Sequence, residues 1–275
     1  MDRPVRRLAV NADDFGFASD VNRGIVDSHR NGILTSTTLM ANGSAFEDAV
    51  GLASRHPSLD IGVHFVLVGG HSLLDGRPLP LSVSELARSI LTGAIRPYLE
   101  LRAQVRRILE AGLKPTHLDT HKHTHLLPPV LKVVARLSEE FGIPWVRRPF
   151  DFPLTGSPSD VPFREKVISR SFQVVRGQFH RALAKHGCRT TDHFAGFQVT
   201  GRFGPADLVH LIQHLPPGST EFMCHPGYCT AELNSMRTRL KSSRETELRA
   251  LTDPSVCKAL ESFGVELCAF PRLSA

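Results

Sequence analysis

Leu118-Asp119-Thr120-His121-Lys122-His123-Thr124-His125 follows directly on a short β-like run that begins at Thr116 and His117. Three imidazoles recur there at every second position. Alternate side chains of an extended backbone share a face, so His121, His123 and His125 are expected to converge on one point. Neutral imidazole is the commonest side-chain ligand for borderline metals, and a histidine cluster at a strand end makes a natural metal site. The bland alternative is a polar, solvated loop rich in histidine, and a short motif by itself does not separate the two. The surrounding chain does.

Upstream, Leu8 to Asn11 reads as an apolar strand that stops at Ala12-Asp13-Asp14-Phe15-Gly16. Two adjacent acids are costly to bury without partners, so Asp13 and Asp14 are expected at a strand end, pointing in different directions. Ser19 or Asp20 can cap a helix from Val21 to Arg30 that closes at Asn31-Gly32. A β-branched strand from Ile33 to Met40, a helix from Ala45 to Arg55 and a buried strand from Ile61 to Leu67 follow. His64 is the only ionisable residue of that third strand, and taken singly it reads as a hydrogen-bonded core histidine. Residues 69–80 form a Gly- and Pro-rich loop, and helices are expected over 83–91 and 99–111.

Downstream, Pro128 and Pro129 open a helix to Phe141, and Trp145 to Arg148 form a fifth strand. Residues 151–163 are proline-rich and read as an irregular excursion, a candidate lid. A helix over 164–185, a strand at Thr191 to Phe194, a helix over 206–214 and a strand at Glu221 to Cys224 continue the alternation. That last strand ends at His225-Pro226-Gly227. Residues 228–243 are polar and expected to be mobile, and helices over 244–251 and after Pro254 precede a final strand over 265–270.

Strands that alternate with helices build a parallel sheet, and about seven such repeats in one domain indicate a distorted or incomplete TIM-like (β/α) barrel spanning residues 1–275. In such barrels the active site lies at the C-terminal ends of the strands. Asp13, Asp14, His64, His121 to His125, Arg147, Arg148 and His225 all fall at strand ends. That coincidence favours a metal site over a histidine-rich loop.

Of the 275 residues, 41% are hydrophobic and 22% charged, as in a globular protein. The net charge of +6 comes from scattered Lys and Arg without a block or aromatic interleaving, so nucleic acid is not an expected partner. Five cysteines without zinc or redox spacing fit reduced thiols. With no signal-like stretch after Met1 and no membrane-span run, the expectation is a cytoplasmic protein without a membrane span.

One carboxylate and two imidazoles on a divalent ion leave positions for water and substrate, which suits hydrolysis. Of Asp13 and Asp14, one can bind the ion and the other can take a proton from water. Ligand softness favours Zn2+, while a carboxylate- and water-rich site takes Mg2+ or Mn2+. Serine-nucleophile, P-loop and dinucleotide motifs are lacking.

Five segments together, Asn11 to Gly16, Asn31 to Thr38, Gly62 to Phe65, Thr116 to His125 and Cys224 to Gly227, resemble the YdjC-type carbohydrate deacetylases, which include chitooligosaccharide deacetylases and relatives associated with hopanoid biosynthesis. The match runs in order over essentially the whole chain. The resemblance implies a TIM-like barrel that removes the N-acetyl group from an amino sugar, giving acetate and a free amine. It assigns one divalent metal ion to Asp14, His64 and His121, the general base to Asp13, and an acid or substrate contact to His225. His123, His125 and Arg147 would line the site without binding metal. The segment 69–97 is where relatives are expected to differ and substrate choice to be set. The rival classes are a metal-dependent phosphoesterase and a non-catalytic carbohydrate-binding relative; a homodimer is a possible assembly.

Overall fold

The computed structural model describes residues 5–153 and 160–273. One parallel sheet carries eight strands, β1 (Arg6–Phe15), β2 (Ser36–Leu39), β3 (Asp60–Phe65), β4 (His117–Thr120), β5 (Trp145–Val146), β6 (His193–Ala195), β7 (Gly218–Cys224) and β8 (Val265–Leu267). Their order is β5-β4-β3-β2-β1-β7-β6, with β8 beside the first residues of β1. Isolated bridges from Trp145 to Arg189 and from Asp151 to Phe194 draw the two outer strands together, so the sheet curls into the expected distorted barrel. The helices between the strands are α1 (Ser19–Asn31), α2 (Phe46–Arg55), α3 (Val83–Leu91), α4 (Pro97–Glu110), α5 (Pro128–Phe141), α6 (Phe163–Phe172), α7 (Arg176–Ala184), α8 (Pro205–Gln213), α9 (Ala231–Ser235), α10 (Ser242–Leu251) and α11 (Pro254–Phe263).

The strand period of two separates two chemistries. Leu8, Val10, Ala12, Ile61, Val63, Phe65, Leu118 and Phe222 belong to the main apolar core. The alternating positions Asn11, Asp13, Thr38, His64, His117, Asp119 and Glu221 are buried and polar. Ala9, Trp145, Cys268 and Phe270 form a separate small apolar cluster.

Several expected elements change shape. The histidine octet is not extended beyond Thr120: His121–Leu126 is a 3-10 turn in which Lys122 (φ 54°) and His123 (φ 50°) are left-handed. The three imidazoles therefore diverge. β1 runs on through both aspartates, and its register against β2 slips between Ala12 and Phe15, where Asp14 takes φ 71°. Past this bulge both carboxylates lie near His64, Asp14 Oδ1 at 3.4 Å and Asp13 within the group it forms with His64 and Asp119. The N-cap of α1 is Ala18, not Ser19 or Asp20; the Glu232 carboxylate, on α9, accepts from both of their N–H groups at 3.0 and 3.1 Å. That helix lies in the polar stretch read as mobile. Strand β5 has two residues rather than four, the helix read over 164–185 is broken by a 3-10 turn at Gln173–Val175, and β8 stops at Leu267. Residues 154–159 of the proline-rich excursion lie outside the described residues.

Candidate active site

Three donor atoms meet at the C-terminal rim. Asp14 Oδ1 lies 3.4 Å from His64 Nε2 and 3.3 Å from His121 Nδ1, and the two ring nitrogens are 3.3 Å apart. Asp14 arrives on the β1 bulge, His64 from β3, and His121 from the first position after β4. Asp14 and His64 are buried, while the His121 side chain is 26% exposed and forms the open corner.

Each ligand candidate is held from behind. The Nδ1–H of His64 donates to Asp119 Oδ1 at 2.6 Å, which turns Nε2 toward Asp14 and His121. Burial disfavours the His64 imidazolium, but Asp119, with Asp14 and Asp13 close by, outweighs it and the pKa is pushed up to about 10. The other oxygen of Asp14, Oδ2, accepts from Arg244 Nη2 at 2.5 Å. Burial opposes ionisation of Asp14; Arg244 and the two histidines more than offset it and hold the carboxyl well below its ordinary range. Among the described residues buried Oδ1 has no well-formed hydrogen bond, only the two imidazole nitrogens at 3.3 and 3.4 Å.

These residues fit a divalent cation. A tetrahedral ion bound at about 2.0–2.1 Å holds its ligands roughly 3.3–3.4 Å apart, which is the spacing of the three donors. The buried Oδ1 and the carboxylate behind His64 are the features such a centre uses. A second acidic group, Asp13, His64 and Asp119, shares His64 with the first. There the Arg147 guanidinium lies 2.6 and 2.7 Å from Asp13 and 2.7 Å from Asp119 Oδ2, so this place already holds a cation.

Arg147 was expected to line the site. It is buried against Asp13, and it also joins Asp119 and Glu221, the last at 2.6 Å through Nε. Arg148 turns away and donates to the carbonyls of Thr191 and Asp192. Asp13 also accepts from Asn11 Nδ2 at 3.0 Å. Burial raises its pKa, but Arg147 prevails and keeps it a carboxylate far below the usual range. His225 Nε2 is 3.9 Å from Asp13 Oδ2, and its buried Nδ1 has no hydrogen-bond partner among the described residues. Burial lowers the His225 pKa to about 4, so the ring is neutral at ordinary pH. Its backbone N–H donates to Glu247 at 2.5 Å.

His123 and His125 leave the cluster. His125 Nδ1 pairs with Thr120 Oγ1 at 2.6 Å, and its Nε2 lies 3.1 Å from the carbonyl of Arg147. His123 sits among Phe172, Phe194 and Phe197, its Nδ1 unpartnered. Asp119 and Arg244 carry no role in the sequence reading. Asp119 had a readable signal, since an acid two positions before His121 on a strand shares its face. Arg244 had none, being 230 positions from Asp14.

The chain matches the model of the YdjC-like protein family over residues 7–262. Among curated relatives, the carbohydrate deacetylase of Brevibacillus brevis is 34% identical, the alignment covering 97% of this chain and 99% of the relative. That of Geobacillus stearothermophilus is 35% identical over 96% and 97%, and the human carbohydrate deacetylase 33% over 100% and 93%. A crystal structure from Enterococcus faecalis, of a protein named for cellobiose-phosphate cleavage, superposes with a TM-score of 0.75 at 23% identity, covering 98% of this chain and 99% of that one. Motifs, fold and whole-length matches agree: the chain belongs to the YdjC-like family.

Proposed function

We propose that this protein is a metal-dependent carbohydrate deacetylase that hydrolyses the N-acetyl amide of an amino sugar or oligosaccharide to acetate and a free amine. The observation that carries this is the Asp14–His64–His121 cluster, with Asp13 and His225 beside it, in a chain whose whole-length relatives are named carbohydrate deacetylases. Asp14, His64 and His121 would hold a divalent ion, Zn2+ or Mg2+, which would supply Lewis acidity toward the amide carbonyl and a more acidic water. Asp13, kept anionic by Arg147, takes the proton of the attacking water. Its weak basicity suits water that is already acidified. His225, 3.9 Å from Asp13, receives that proton and passes it to the departing amine. His121, the exposed member of the cluster, gives the substrate its way in, and the segment 69–97, expected to set substrate choice, carries a groove of about 650 Å3 lined by Ser72, Asp75, Arg77, Glu85, Arg88 and Arg96. Lys122 on the histidine turn reaches this segment, donating to the carbonyl of Leu81 at 3.3 Å.

A two-metal phosphoesterase fits less well, because Arg147 occupies the second acidic group. Acetate release from N-acetylglucosamine, chitobiose and longer chitooligosaccharides, assayed with Zn2+ and Mg2+ beside generic phosphate esters, tests the proposal. Acetate from at least one glycan and no phosphate from the esters is the expected result. Phosphate release without acetate contradicts it.

A further inference from the structure

Beneath Asp13, four buried or half-buried polar side chains form one line. Asn11 Nδ2 donates to Asp13 Oδ1 at 3.0 Å, and Asn11 Oδ1 faces His117 Nε2 at 2.8 Å. His117 Nδ1 lies 2.9 Å from Thr116 Oγ1, which lies 2.7 Å from Asp60 Oδ1. Asp60 and His117 are the first residues of their strands, so the line climbs from the far end of the barrel to the proposed base. The His117 ring is clamped: it stacks on Phe270 at 3.9 Å and 13°. A Cβ at Gly62 would stand 2.5 Å from its Nε2. The sequence at Gly62 and Phe270 thus makes room for one planar ring in one orientation.

Counting protons fixes the direction of each bond. Asn11 must present its amide nitrogen to the Asp13 carboxylate, so its oxygen accepts and His117 Nε2 carries a hydrogen. The Thr116 hydroxyl has a single hydrogen and faces two acceptors. All contacts are satisfied only if one extra proton resides in the line, on His117 Nδ1 or on Asp60. The groups facing His117 and Asp60 choose between them. Burial of the ring and then Arg147, just past the end of β5, disfavour the imidazolium, with Asp13 the opposing charge, and hold its pKa well below the ordinary value. Among the described residues Asp60 meets the Thr116 and Ser36 hydroxyls, the N–H groups of Phe270 and Ile61, and His117 at 3.8 Å, and burial pushes its carboxyl up to about 6.

We propose that Asp60, Thr116, His117 and Asn11 form a one-way hydrogen-bond relay that positions the Asp13 carboxylate, with His117 held as the neutral Nε2–H tautomer and the extra proton on Asp60. Its catalytic consequence rests on the reading of Asp13 as the base. The amide of Asn11 does not pass protons, so the relay orients and polarises and does not conduct. Once Asp60 loses its proton, Thr116 can no longer serve both neighbours. Asp60→Asn reproduces the protonated form, with an N–H for Thr116 and an oxygen for Phe270.

Nitrogen-15 histidine spectra of the intact protein, with His117→Gln for assignment, read the tautomer without any substrate and so independently of the deacetylase reading. The expected signals are a protonated Nε2 and a bare Nδ1 at about pH 5, where Asp60 keeps its proton. An imidazolium or an Nδ1–H tautomer there overturns the proposal. In kinetics, His117→Leu lowers kcat about tenfold or more with KM and metal content little changed, while His117→Gln, which keeps a donor for Asn11, recovers most of the loss. Asp60→Asn keeps kcat within about threefold of wild type. A folded, metal-loaded His117→Leu with wild-type kcat also overturns it. If that variant fails to fold, the tautomer decides.

Discussion

Asp13 and Asp14 are chain neighbours with separate duties because each has its own arginine. Arg244 takes one oxygen of Asp14 and leaves the other for the two imidazoles; Arg147 takes both oxygens of Asp13. Removing one member of a buried ion network leaves uncompensated charge, so Arg147→Met should cost about 3–5 kcal/mol in urea unfolding near neutral pH. The sign of its pH dependence follows from Asp13. The folded carboxyl titrates below its ordinary 3.8, so its contribution is present above about pH 4 and is lost as pH falls through the folded value. Glu221, raised to about 7 by burial in spite of Arg147, takes a proton on the way down and relieves the variant. The gap between wild type and Arg147→Met therefore narrows on acidification; a gap that widens contradicts this account of the network. The candidate site was legible where side-chain type and strand position coincide, at Asp13, Asp14, His64, His121 and His225. It was illegible at Arg244, because an arginine on a polar-looking helix carries no mark of being buried.

At the scale of elements, the histidine turn does what an extended strand does not. By entering the left-handed region at Lys122 and His123, the chain sends His121 to Asp14 and His64 and His125 to the carbonyl of Arg147. An L-residue there costs about 1–2 kcal/mol, and a β-branched one more. Lys122→Gly should leave the melting temperature unchanged or raised, whereas Lys122→Ile should lower stability by roughly 1–2 kcal/mol; equal effects would show that the turn is not strained. Nothing in His-Lys-His-Thr-His announces this turn, since neither residue is a glycine. A second contact sets the His225 loop: a Cβ at Gly24 on α1 would come within 2.4 Å of Gly227 Cα. Gly24→Ala should cost about 1–3 kcal/mol and, by displacing the loop, lower kcat while the metal content holds. Unchanged kcat would show that α1 does not position His225. The alternation of strands and helices was readable throughout; the short β5, the broken helix after Phe172 and α9 were not, because such details depend on tertiary partners, as when Glu232 of α9 accepts from the N–H groups of Ser19 and Asp20 at the start of α1.

The molecule as a whole places acid-rich polarity inside a barrel and closes one end with Trp145, Phe270 and their neighbours. Asp13, Asp14 and Asp119 face two arginines, Arg147 and Arg244, and the Asp14–His64–His121 donors are the place proposed for a divalent ion. An ion that binds only the folded state stabilises it by about 4 kcal/mol at a thousandfold excess over its Kd, so chelation should lower the melting temperature by several degrees. His64→Ala should melt at the chelated temperature with or without added metal; a metal-dependent shift that survives in it would remove His64 from the ligand set. The central claim is that one ion sits on Asp14 while Asp13, outside its shell, moves the proton. Metal content and kcat measured together for Asp13→Asn and Asp14→Asn across a metal titration test it most directly. Asp13→Asn should keep about one ion per chain and lose roughly two to four orders of magnitude in kcat at near-normal KM. Asp14→Asn should lose the ion and regain part of its activity as metal is added. An Asp13→Asn protein without metal beside an Asp14→Asn protein that retains it, or near-normal kcat in both, would contradict the account.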